Sequence, residues 1–170
     1  MGCSTFIGGG EKKVKAEVVL KPDCKVLALQ GKSSIGKTTT INKLIDYLLN
    51  KKGGKRLFEK MHGEKDHCFV IAYNGKKLGI TTRGDNVKCL SDDFAEFYDC
   101  DICVCAVHAG LTRNYIKSLV SKPDENMICI ARNYVSNSED KATAKLQEAI
   151  NIASQSQAEN ILDIINKMFF

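Results

Sequence analysis

Residues Gly31-Lys32-Ser33-Ser34-Ile35-Gly36-Lys37-Thr38 constrain this chain more than any other segment, because they spell G-x-x-x-x-G-K-[ST] between two different periodicities. Before them, Lys25 to Leu29 is a short apolar run of strand type. After them, Lys37 to Leu49 carries Ile41, Leu44, Ile45, Leu48 and Leu49 at helical spacing. A strand that bends into a helix through such a loop aims several backbone N–H groups at one spot. The helix adds the positive end of its dipole, so the bend can hold a polyanion without burying unpaired charge. Gly31 and Gly36 admit backbone conformations that other residues resist.

The rest of the chain reads as further strands and helices. Gly53-Gly54 stops the first helix after Lys51-Lys52, a pair suited to its negative end. A basic loop with Lys55, Arg56, Lys60 and Lys65 is expected next. Asn74-Gly75 between Cys68 to Tyr73 and Lys77 to Thr82 then predicts an antiparallel hairpin. A short helix is expected from Ser91 to about Tyr98, a buried strand over 102–107, a helix from about Thr112 to Val120 and a strand over 127–131. From Glu139 to Phe169 the spacing is helical with no Gly or Pro. Ser154-Gln155-Ser156 interrupts the apolar stripe and Ser156 with Glu159 fits a capping box, so two helices or one bent helix should close the fold. Upstream, residues 1–10, ending Gly8-Gly9-Gly10, read as a loose tail and Lys15 to Leu20 as a short strand.

This alternation predicts an α/β fold of three layers, with a mostly parallel central sheet, an antiparallel β-hairpin and flanking helices. The chain of 170 residues suits one domain with its own core. A net charge of +5 on scattered lysines indicates no nucleic-acid partner, and no apolar run approaches the roughly 18 residues of a membrane span. Met1-Gly2-Cys3 has Phe6 where a myristoylation signal wants Ser or Thr. The eight cysteines mostly sit in apolar runs with no signal peptide before them, which predicts reduced thiols in a cytoplasmic protein. Cys103 and Cys105 alternate along one strand and lack zinc-ligand spacing.

With its strand, loop and helix in this order, the chain resembles the P-loop nucleoside triphosphatase superfamily. The resemblance rests on the eight loop residues and on the general topology. It implies that Gly31, Lys32, Ser33, Ser34, Ile35, Gly36, Lys37, Thr38 and Thr39 surround a nucleotide, with Lys37 on the β- and γ-phosphates and Thr38 on a magnesium ion. The loop is also similar to the deviant form K-G-G-x-G-K-T-T of the septum-site and partition ATPases, since Lys32 falls at their extra lysine. Ser33 and Ser34 replace both of their glycines. In those families that lysine crosses a dimer, which makes a homodimer one expectation here.

Opposite the loop such enzymes carry an acidic residue near the metal. Asp101 lies at the wrong end of its strand, and Asp92 and Asp93 suit the start of the short helix. Asp85, in Thr81-Thr82-Arg83-Gly84-Asp85, is the candidate metal and catalytic carboxylate. Arg83, Arg113 and Arg132 each follow the carboxyl end of a predicted strand, where they could converge on phosphate oxygens. Arg83 and Arg113 are then candidates for catalysis and Arg132 for nucleotide binding. His108 also ends a strand and could orient water or a hydroxyl, although a structural role is the commoner one. Tyr134 could stack on a base, and no N-K-x-D pattern selects guanine, so ATP is expected, with GTP as the alternative.

The expected function is therefore that of a Mg-ATP-dependent phosphotransferase or ATPase, acting on water or an unidentified acceptor. The alternatives are a regulatory switch, or a nucleotide-binding module without chemistry, serving a protein partner. Met168-Phe169-Phe170 could dock such a partner, or pack as an apolar helix end on its own sheet.

Overall fold

The computed structural model describes residues 17–32, 36–132 and 143–169. Strand β1, Lys25–Gln30, runs toward the loop, and helix α1, Lys37–Asp46, leaves it. The last turn of that helix widens over Tyr47–Lys51, where Lys52 N–H reaches back five residues to the Tyr47 carbonyl at 3.0 Å. Gly53, at φ 74°, then breaks the helix at the expected place.

Three antiparallel strands follow: β2, Lys55–His62, β3, Asp66–Tyr73, and β4, Lys76–Thr81. Asn74 and Gly75 both have positive φ, 48° and 77°, which matches the twist of a tight hairpin between β3 and β4. The segment expected as a basic loop is instead the edge strand β2. It pairs only with β3, carries a register shift between Arg56 and Phe58, and turns Lys55, Arg56 and Lys60 to solvent. Charges of this kind blunt an open sheet edge.

Helix α2, Val87–Phe94, strand β5, Ile102–Val107, helix α3, Leu111–Leu119, the single turn α4, Pro123–Asn126, and strand β6, Met127–Ala131, complete the sheet. Helix α5, Ala144–Met168, closes the described chain. The sheet order is β2-β3-β4-β5-β1-β6, with β4, β5, β1 and β6 mutually parallel. The molecule is thus an α/β protein with a six-stranded, mostly parallel sheet, an antiparallel hairpin and flanking helices.

Period-two alternation divides the sheet side chains between its faces. Leu27, Leu29, Ile80 and Val104 pack beneath α1 and α5 with Ile41, Leu44, Ile161 and Ile165. On the other face Val26, Ala28, Cys103 and Cys105 meet Leu90, Phe94, Phe97 and Ile116. Among the described residues no helix is long and apolar enough to cross a membrane.

Several expectations need correcting. Residues 17–20 form no strand, although Leu20 is buried. Helix α2 begins at Val87, with the Asn86 side chain accepting from Cys89 N–H at 2.9 Å, so Asp92 and Asp93 sit in its last turn and not its first. The polar interruption at Ser154-Gln155-Ser156 lies inside the single helix α5, because Ser154 and Gln157 are buried against polar partners on the strand side. Phe169 packs on the core, while Phe170 and the side chain of Met168 lie outside the described parts. Cys24, Cys68, Cys100, Cys103, Cys105 and Cys129 carry free thiols, whereas Cys89 is disulfide-bonded, contrary to the expectation of reduced cysteines throughout.

Candidate functional site

The loop is held at its base from both sides. Gly31 N–H donates to the Val107 carbonyl of β5 at 3.2 Å, and Arg132 N–H, just after β6, donates to the Gln30 carbonyl at 2.8 Å. The three strand ends therefore open side by side at the carboxyl edge of the parallel strands, where ligands of open α/β sheets bind.

Gly36 caps α1 at φ 92° and ψ 19°, a left-handed conformation in which a side chain is strained. The surroundings are close as well: a Cβ there would lie 2.9 Å from an Arg132 guanidinium nitrogen and 3.2 Å from Ile150 Cγ2, side-chain ends that would have to shift. Among the described residues no side chain caps the helix start, and no acidic residue occupies its first turn. Lys37 is 8% exposed and its Nζ donates to the Gly31 carbonyl across the loop. Burial pushes its pKa down, and the Asp85 carboxylate acts in the opposite sense. Thr38 and Thr39 are half-buried at the same end.

A cleft of about 930 Å³ opens over this helix start. Lys37, Thr38 and Thr39 line one side, and Thr82, Gly84, Asp85, Ala106 and His108 line the other. Gly84 makes the second wall possible, since a Cβ on it would lie 2.1 Å from the Ala106 carbonyl oxygen. That contact brings the end of β4 against β5 and carries Asp85 toward His108, with Asp85 Oδ1 3.6 Å from His108 Nε2. The Thr112 hydroxyl fixes the His108 backbone, accepting from its N–H at 2.8 Å and donating to its carbonyl at 3.1 Å. Asp66 also lines the cleft and accepts from the Thr82 hydroxyl at 3.0 Å. Sequence reasoning missed Asp66 and Thr82, since a carboxylate at the start of an antiparallel strand has no motif to mark it.

The three arginines do not converge. Arg83 is buried and binds Asp93 through two bonds, Nε to Oδ2 at 3.0 Å and a terminal nitrogen to Oδ1 at 2.7 Å. Asp93 also accepts from the Thr81 hydroxyl at 2.6 Å and lies 3.2 Å from His62 Nε2. The expected catalytic role of Arg83 therefore gives way to a buried ion pair between β4 and α2. Arg113 is half-buried in the first turn of α3 and does not line the cleft. Arg132 is the arginine that reaches the loop: it is buried against Gly36, one guanidinium nitrogen donates to Ser154 Oγ at 2.8 Å, and burial pushes its pKa down.

Asp101 lies at the opposite end of the sheet and binds Lys21 Nζ at 2.6 Å and the Lys77 N–H at 2.9 Å. The thiols of Cys68, Cys103 and Cys105 have their pKa values raised by burial, which disfavours the thiolate that binds zinc. Gly31 and exposed Lys32 lead into the loop, whose Ser33, Ser34 and Ile35 lie outside the described residues, as does Tyr134. No protein-family description, curated protein or solved structure matches this chain.

Proposed function

We propose that this chain is a P-loop protein that binds a nucleoside triphosphate with magnesium in the cleft above α1 and hydrolyses it. The buried Lys37 carries the reading: its ammonium rests on the Gly31 carbonyl, at a helix start whose first turn, among the described residues, carries no anion. A triphosphate would supply that anion, replacing the carbonyl as the partner of Lys37.

The donor set suits magnesium, which prefers oxygen ligands and keeps several from water and substrate. The Thr38 hydroxyl and the Asp85 carboxylate line the same cleft and would hold the ion together with phosphate oxygens. When bound, the ion neutralises charge on the phosphates. Lys37 would hold the β- and γ-phosphates, and Asp85 and His108 border the space beyond them. A water oxygen attacking the γ-phosphorus from that side forms the new P–O bond as the bond to the β–γ bridging oxygen breaks, so that nucleoside diphosphate leaves with that electron pair and the water's proton passes to solvent with the inorganic phosphate released. Hydrolysis is preferred to transfer onto a phosphorylated acceptor because Arg83, one of the three donors expected to grip an acceptor, is occupied by Asp93.

Titration calorimetry of the folded protein with Mg-ATP and Mg-GTP tests the binding, and release of phosphate from labelled ATP tests the chemistry. Heat of binding that disappears in Lys37→Ala, with turnover that disappears in Asp85→Asn, is the expected pattern. Absence of heat with either nucleotide ends the reading.

A slow regulatory switch is the second reading, favoured by the loop position of Asp85, whose side chain is 76% exposed. It predicts that hydrogen exchange over 83–86 differs between the ATP and ADP states; equal exchange excludes it.

A further inference from the structure

The cleft continues past Lys37 along the first turns of α5, where Gln147 and Ile150 line it together with Thr39 and Lys43 of α1. Ile150 stands over the end of the loop, its Cγ2 at 3.2 Å from the place a Gly36 Cβ would occupy. Gln147 is three residues earlier on the same helical face, roughly 4.5 Å further along the helix axis. A molecule whose phosphates sit at Lys37 can therefore extend the rest of its body over Ile150 and on to Gln147.

We infer that this end of the cleft is a nucleobase subsite and that Gln147 selects adenine; the inference rests on the nucleotide reading above. Ile150 offers an apolar surface to a ring face. Gln147 offers one acceptor and one pair of donors on a single planar amide, the pattern that matches adenine N6 and N7. Guanine presents two acceptors, O6 and N7, on the corresponding edge, so the same amide cannot satisfy it with both atoms. The Gln147 side chain is exposed, and its bond to Asn151 Oδ1 is long at 3.3 Å, so it can turn to a ligand at little cost. Among the described residues of this stretch, Lys43, which carries donors only, would favour guanine O6 and N7, and Asp46, which only accepts, would favour guanine N1–H and N2.

Affinities for Mg-ATP, Mg-GTP and Mg-tripolyphosphate, measured on the full chain and on Gln147→Ala, Gln147→Glu and Lys43→Ala, test the assignment. The full chain should prefer ATP to GTP by about 5- to 150-fold, the range of one good bidentate base contact. Gln147→Ala should remove most of that preference while leaving tripolyphosphate binding and melting temperature unchanged. Gln147→Glu, which only accepts, loses the donor to adenine N7 and should weaken ATP binding while gaining nothing for GTP, whose O6 and N7 both accept, whereas Lys43→Ala should not lower the preference for ATP. Equal affinity for the two nucleotides, or a preference that survives Gln147→Ala, overturns the adenine assignment while tripolyphosphate binding upholds the loop. Failure to bind all three probes overturns the loop reading and the subsite with it.

Discussion

The guanidinium of Arg83 and the carboxylate of Asp93 form a two-bond ion pair, at 3.0 and 2.7 Å, in a place where Asp93 has no exposed surface. The pair ties the end of β4 to α2 directly beneath the Gly84-Asp85 turn. Removing one partner strands a buried charge, which costs far more than removing both. Arg83→Ala should therefore lower unfolding free energy by about 3–5 kcal/mol. Arg83→Met combined with Asp93→Leu should recover a large part of that loss. Urea unfolding of the single and double variants measures both, and equal losses would show that the charges are not coupled.

Gly84 is a second point where the fold permits one residue. Its missing side chain makes room for the Ala106 carbonyl, and a backbone atom cannot rotate away as a side chain can. Gly84→Ala should destabilise by about 1–3 kcal/mol and displace Asp85 from His108. Calorimetric melting checks the first effect. Magnesium dependence of nucleotide affinity checks the second, and should weaken in the variant.

Lys37 gives a pH dependence with a definite sign. Burial lowers its folded pKa below the ordinary 10.5, so the unfolded chain holds the proton more tightly. The resulting penalty on folding is fully present below the folded pKa and disappears as pH rises through it toward 10.5. Nucleotide affinity follows the opposite trend, because phosphate needs the ammonium form. Titrations at rising alkaline pH should show affinity falling before pH 10.5 is reached, and Lys37→Arg should push that fall to higher pH.

Asp101 supplies a test at the acid end. Burial alone would raise its pKa, but the hydrogen bonds from Lys21 and from Lys77 N–H, with the Lys21 charge, hold it below the ordinary 3.8. Its contribution to stability is thus present above 3.8 and lost as pH falls through the folded pKa. Asp101→Asn should be less stable than the parent at neutral pH, and the gap should close on acidification. A gap that stays constant down to strongly acidic pH would contradict this.

Elements with one clear periodicity were legible in the sequence. β5 and β6 lie where their apolar runs predict, and Asn74-Gly75 turns the hairpin as its chemistry requires. β2 was hidden because an edge strand can leave Lys55, Arg56 and Lys60 in water, so its composition resembles that of a loop. Ser154 looked like a break in α5 because its partner, Arg132, is 22 residues away and no local pattern signals that bond. Motif and strand order point to Lys37, Thr38 and Asp85, which line one cleft. They do not give the destination of Arg83, since whether an arginine at a strand end meets phosphate or a buried carboxylate depends on how the next helix packs.

The double anchoring of the loop has a kinetic consequence. Gln30 is registered with Val107 on one flank and Ala131 on the other, and the hydrogen bonds at Gly31 and Arg132 extend both seams past the strand. If the cleft takes an anion as proposed, the strand ends beneath it are already fixed before capture, so little ordering entropy of those residues remains to be lost. Association should then be governed by diffusion and charge steering, with no slow rearrangement of the receptor floor preceding it.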